Sequence, residues 1–155
     1  MPMNNTHINK NGDIIEHRWL HNAYGALQQR STFRGLLQRD ANQLRPFVLT
    51  RSFFFGSQRY SGMWTGDSQA GYDDVPLSVN MLLTLGVSGI VFGGTDVPGF
   101  FGIPPDDLWV QFYQLGVFYP FFRAHADRTS LMREPWLQSE RVQKIVKDCI
   151  FQRYA

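Results

Sequence analysis

Four polar residues stand at the ends of apolar or aromatic runs, and their types could do chemistry together. Asp67 ends the run Trp64-Thr65-Gly66-Asp67. Asp96 lies in Gly93-Gly94-Thr95-Asp96-Val97-Pro98-Gly99-Phe100, and His125 in Phe121-Phe122-Arg123-Ala124-His125-Ala126. Arg51 lies upstream, directly after Arg45-Pro46-Phe47-Val48-Leu49-Thr50. A carboxyl that keeps its proton near neutral pH can act as a general acid, and Asp, with an ordinary pKa of ~3.9, needs an apolar surround or a second carboxylate to do so. Trp64 and Met63 could supply the apolar surround of Asp67. A planar guanidinium such as that of Arg51 suits hydroxyls and a carboxylate at once. Delivered by successive strands, the set reads as a pocket for a sugar. Each residue also has a plainer reading. Asp67 and Asp96 could be turn or cap aspartates, Arg51 an ion-pair residue, His125 a core histidine, and Trp64 and Phe100 core aromatics.

Positioning such groups requires short strands that end at one face, as in an α/β barrel. The pattern predicts a helix from Glu16 to about Arg39, with Gly, Pro and Asn clustering only from Asn42. A short buried strand is expected over 45–50, a loop at 56–58 and a strand over 59–64. A helix then starts near Pro76, behind Asp73 and Asp74, with Leu77, Met81, Leu82 and Leu85 at helical spacing and Gly86 as its C-terminal cap. Residues 87–92 read as a strand covered on both faces, and Gly93-Gly94 as a sharp turn before Asp96. Another helix follows Pro104-Pro105-Asp106-Asp107, with Leu108, Phe112, Leu115 and Tyr119 as its stripe. Residues 121–124 read as a further strand. A last helix begins near Ser139, its apolar positions Val142, Ile145, Val146, Cys149 and Ile150 obeying the helical rule. The alternation argues a parallel α/β architecture.

Composition excludes several classes. The 155 residues are 43% hydrophobic and 18% charged, a globular balance. The net charge of +2 is interspersed, so no nucleic-acid footprint is expected. The apolar run 81–92 is too short to cross a membrane, and no membrane insertion is expected. Cys149 is the only cysteine, which rules out an intrachain disulfide. The polar segment 1–15 has no signal-peptide core, and Asn4-Asn5-Thr6 is a glycosylation sequon compatible with a secretory lumen. His17 and His21 stand at i, i+4, where two metal ligands could share a helix face, but no third ligand follows, and no metal is expected.

Taken in order, the blocks resemble glycoside hydrolase family 31. The match is carried by Glu16-His17-Arg18, His21-Asn22-Ala23-Tyr24-Gly25, residues 45–52, Gly56-Ser57-Gln58-Arg59-Tyr60, Trp64-Thr65-Gly66-Asp67, Asp96-Val97-Pro98-Gly99-Phe100, Tyr119-Pro120-Phe121-Phe122-Arg123-Ala124-His125-Ala126 and Arg133-Glu134-Pro135-Trp136. The resemblance implies a partial (β/α)8 TIM barrel, roughly strands five to eight with flanking helices. Residues 1–15 would be a polar N-terminal segment, and residues 16–155 the C-terminal half of the catalytic barrel. It further implies a retaining exo-α-glucosidase without a cofactor. Retention needs two carboxyls about 5 Å apart. Asp67 matches the family's general acid/base, while the nucleophile's Trp-x-Asp-Met-Asn-Glu-type block has no copy here and would lie just upstream. Arg51, Trp64, Asp96, Phe100 and His125 match positions that bind the terminal sugar. Ser68, Tyr72, Phe55, Thr95 and Pro98 depart from the usual pattern, and Ser68 and Tyr72 bear on the surroundings of the acid/base.

By the same resemblance the substrate would be an α-glucoside or N-glycan oligosaccharide in the lumen of the endoplasmic reticulum. The partner would be a beta subunit with a retention signal and a lectin-like domain. The competing readings are an inactive partial product or sugar-binding remnant, and a family member with another sugar, such as an α-xylosidase. Half a barrel leaves sheet edges and helix faces unpaired, so marginal stability is expected for the chain alone.

Overall fold

The structure is a computed structural model that describes residues 1–39, 41 and 43–155. It divides into two compact units, Met1–Ser61 and Gly62–Ala155. The expectation attached to Asn42 lies outside the described residues.

The first unit opens with a hairpin of β1 (Thr6–Ile8) and β2 (Ile14–Glu16), paired antiparallel with His7 opposite Ile15. Gly12 makes the turn at φ 89°, a conformation that suits glycine. The segment expected only to be polar is thus a small ribbon, with Ile8 and Ile14 exposed. A 3-10 turn, His17–Trp19, leads into α1 (His21–Arg39), which ends where the sequence pattern places it. The strand expected over 45–50 shortens to β3 (Leu49–Thr50). Polar groups hold much of this unit. Gln29, 4% exposed, donates from Nε2 to Thr50 Oγ1 at 2.9 Å and accepts from Ser61 Oγ at 3.2 Å. His17, also buried, lies 2.9 Å from both a His7 and a His21 ring nitrogen.

The second unit is a run of parallel βα repeats. β4 (Gly62–Trp64) pairs with β5 (Gly93–Gly94), Met63 opposite Gly93. The chain continues through Thr95 into β6 (Asp96–Val97), which pairs with β7 (Arg123–Ala124). Helices α2 (Asp74–Val87), α3 (Asp106–Gly116) and α4 (Glu140–Tyr154) follow the strands in turn. Leu108, Phe112, Val142 and Val146 of α3 and α4 pack with Val97 into one apolar cluster. Full burial of a side chain of this kind is worth roughly 1.5–3 kcal/mol. Ser139 caps α4 by accepting from the Val142 amide.

Three expectations are corrected here. Residues 87–92 are not a strand: Val87 closes α2, and Val91 is 67% exposed. Pairing begins only where the Met63 amide reaches Phe92 O at 3.0 Å. Rather than Gly86, the glycine of the α2 ending is Gly89, at φ 80° directly after the Ser88 cap. Its amide bonds to Gly86 O and the Ile90 amide to Leu85 O, the double bond of a Schellman ending. Gly93-Gly94 is a strand, not a turn. Glycine is required at 94 because a Cβ there would stand 1.8 Å from Phe121 O.

Two glycine substitutions should therefore move stability in opposite directions. Gly94→Ala forces backbone apart and should destabilise the intact protein by about 3 kcal/mol. Gly35→Ala, on an exposed stretch of α1 with open space around it, should stabilise by roughly 0.5–1 kcal/mol. Denaturant midpoints of the two variants beside the parent check both signs.

Candidate active site

Three strand ends of the second unit deliver the site residues. After β4, Gly66 turns the chain at φ 89° and leaves Asp67 exposed. The apolar surround expected for Asp67 is only partly present, since Met63 is buried but Trp64 is half-buried and the Asp67 side chain faces solvent. Asp96 opens β6, and its side chain is 1% exposed. His125 follows β7, its amide bonded to Val97 O at 3.1 Å. Phe100 sits on the turn after β6, and its ring centroid lies 5.0 Å from that of His125. Trp64, Asp67, Asp96, Phe100 and His125 are thus carried by adjacent parallel strands. Arg51 belongs to the first unit, exposed on the bend after β3.

The sequence reading passed over Arg123 as a site residue. Its Nη2 donates to Asp96 Oδ1 at 2.8 Å. Its guanidinium carbon also stands 5.4 Å from the Trp64 ring centroid and 5.3 Å from that of Phe121. The signal was available, because Arg123 and His125 are two residues apart across a strand and so share a face.

Burial pushes the Asp96 carboxyl above the usual carboxylate range. The Arg123 hydrogen bond and the charges of His125 and Arg123 pull it back, while the Asp67 charge pushes it further up. The field of Asp67 therefore reaches Asp96. Asp96 Oδ2 and Trp64 Nε1 are buried without a hydrogen-bond partner among the described residues. Such atoms cost on the order of 1–3 kcal/mol each until a hydroxyl meets them. An acceptor and a donor beside aromatic faces suit a polyol. His17 and His21 bond to one another rather than converging on a point. Among the described residues no group of three or more His, Cys, Asp or Glu side chains could hold a metal ion.

Comparison with known proteins decides the family. The model of the glycosyl hydrolases family 31 TIM-barrel domain matches residues 1–155. The chain belongs to glycoside hydrolase family 31. A probable glucan 1,3-alpha-glucosidase of Oryza sativa subsp. japonica is 50% identical over 155 residues, all of this chain and 16% of that protein. A crystal structure of glucosidase II alpha subunit bound to alpha3-Glc2 superposes with a TM-score of 0.87 at 47% identity, over 90% of this chain and 15% of that one. A second, of an ER glucosidase II heterodimer of catalytic subunit and the binding domain of the regulatory subunit, gives 0.86 at 47% identity over the same shares. The chain thus spans about one sixth of the relatives it matches. In family 31 terms it is an α/β piece of the TIM-barrel domain, and the strands among the described residues do not close a barrel.

Arg123→Met should leave Asp96 a buried carboxylate without its cation, costing the intact protein about 3 kcal/mol at neutral pH. The sign follows from the raised Asp96 value. Its contribution is complete below the ordinary carboxylate range and is lost as pH rises through the folded value. Without Arg123 the folded value rises further, so the variant should recover stability on acidification. Urea midpoints at pH 4.5 and 7.5 test this, and an equal loss at both would contradict it.

Proposed function

We propose that the chain supplies the acid/base half of a retaining exo-α-glucosidase site, with residues 16–155 forming the later half of the barrel, roughly strands five to eight. One observation carries the reading: parallel strand ends bring an exposed Asp67 within electrostatic reach of a buried Asp96, beside Trp64, Phe100 and His125. Membership of the family and the similarity to α-glucosidases support the choice of sugar and bond. Asp67 protonates the leaving glycosidic oxygen, then takes a proton from water as the glycosyl-enzyme is hydrolysed. Asp96, fixed by Arg123, accepts from sugar hydroxyls through the buried oxygen that has no hydrogen-bond partner among the described residues. His125 and Arg51 bind further hydroxyls, and Trp64 and Phe100 wall the terminal glucose. The nucleophile comes from a preceding strand of the full-length protein, and no cofactor takes part.

The natural substrate of this reading is terminal α-linked glucose on N-glycans in the lumen of the endoplasmic reticulum. The full-length protein pairs there with a glucosidase II beta subunit. Support comes from the similarity to glucosidase II alpha, in structures that hold an alpha3-linked glucose disaccharide and a regulatory subunit. Exposed apolar residues such as Trp19, Phe118 and Trp136 fit a chain that packs against more of its own protein.

The test is hydrolysis of a chromogenic α-glucoside by the 155-residue chain beside a form extended upstream through the nucleophile block. Activity is expected only in the extended form. There Asp67→Asn should lower kcat on a substrate with a poor leaving group by about 10²- to 10⁴-fold. Activity in neither form would favour a binding-only protein. Activity in the short chain would overturn the placement of the nucleophile.

A further inference from the structure

Arg133 is 7% exposed, yet it lies in none of the strands or helices. Its Nη2 donates to Gly102 O at 2.8 Å and to Phe100 O at 3.4 Å. Its Nε and Nη1 have no partner among the described residues. A buried guanidinium costs several kcal/mol of desolvation, and an apolar residue of similar volume is often as stable in its place. Stability alone therefore gives a weak reason for an arginine here, and the two carbonyls it grips give a geometric one.

Those carbonyls belong to the turn at 100–102, where Gly99 and Gly102 both take positive φ. The turn is held on its other side by the residues directly after Asp67. The Phe100 and Phe101 amides both donate to Ser68 O, at 2.9 and 3.0 Å, and the Ala70 amide donates to Phe101 O at 2.8 Å. Gly99 lies so close that a Cβ would stand 2.5 Å from Ala70 Cα. Phe100 O also accepts from the Asp127 amide at 3.0 Å and from Ser130 Oγ at 3.4 Å. One continuous set of bonds thus runs from Arg133 through the turn to the backbone beside Asp67. The same turn carries the Phe100 ring against His125.

We propose that Arg133 is a positioning residue: it clamps the turn at 100–102 and through it sets where Asp67 stands relative to Phe100 and His125. The inference rests on the reading of Asp67 as the acid/base. It predicts that loss of the clamp injures proton delivery more than sugar binding, since misplacement of an acid by an ångström can cost on the order of a hundredfold.

The experiment uses the full-length protein with Arg133→Met and Arg133→Lys. The Lys ammonium can still donate to both carbonyls. Two readouts are taken: amide hydrogen exchange at Ala70, Phe100 and Phe101, and kcat/KM on two α-glucosides. One glucoside has an alkyl leaving group that needs a proton, the other a dinitrophenyl group that does not. Arg133→Met should speed exchange at all three amides and cut kcat/KM on the alkyl glucoside at least about tenfold more than on the aryl one. Arg133→Lys should restore both readouts most of the way. If Arg133→Met does not fold, Arg133→Gln, which keeps a donor for one carbonyl, should show the same pattern at smaller size. Unchanged exchange in a folded variant, or equal loss on both glucosides, overturns the proposal. A parent protein inactive on both glucosides would sink the glucosidase reading instead, while the exchange arm would still decide the clamp.

Discussion

The ion pair between Asp96 and Arg123 is the interaction on which the second unit's site turns. A carboxylate that is 1% exposed cannot stay charged in an apolar surround without a partner, and the partner comes from the next parallel strand, in direct register with it. The pair therefore does more than neutralise. It fixes the relation of β6 to β7, and the same guanidinium lies over Trp64, which comes from β4. One cation on β7 thus touches groups delivered by two other strands, β4 and β6. It leaves Asp96 Oδ2 buried without a hydrogen-bond partner among the described residues.

Close backbone approach is the second constraint. Gly94 and Gly99 are needed because the neighbouring chain occupies the space a side chain would take: Phe121 O at the first and the Gln69–Ala70 backbone at the second. These contacts draw the ends of β4, β6 and β7 together. A turn that carried its own side chain at 99 could not sit against the residues following Asp67. The site is compact because glycine permits it, and the polar side chains are added to a backbone already brought close.

Much of this was legible in the sequence, and the failures have physical reasons. The helices were readable because 3.6-residue periodicity and end signals are local: α1 ends at Arg39, and α4 begins after its Ser139 cap, as the pattern required. Strand extents were not readable. Residues 87–92 have every mark of a buried strand, yet pairing depends on where Met63 and Trp64 lie, and that is not a local property. Gly93-Gly94 looked like a turn because glycine's two uses, positive φ and close approach, leave the same letter in the sequence. Asp67, Asp96 and His125 were singled out because each follows an apolar or aromatic run, and Trp64 and Phe100 because they match the family's pattern. Arg123 was missed because its block was read for its histidine alone, although strand alternation puts both on one face. Arg133 carries no periodic signal, and its role is visible only once two carbonyls from another loop are placed against it.

The two aspartates also show how one residue type serves two ends. Asp96 is buried, raised and paired, so its task is to be held still and to accept hydrogen bonds. Asp67 is exposed after a left-handed glycine turn, where the described residues provide little of the dry surround that a general acid requires. Nothing on β4 can supply that surround, because Met63 points into the unit and Trp64 lies under Arg123. On the proposed reading it comes from groups outside this chain: the sugar itself, and further strands of the TIM-barrel domain. A retaining site needs two carboxyls about 5 Å apart, so the proposed reading requires a second carboxyl close to Asp67. The two aspartates of this chain thus differ in surroundings rather than in residue type, and on the proposed reading the surroundings of Asp67 are completed by the rest of the TIM-barrel domain.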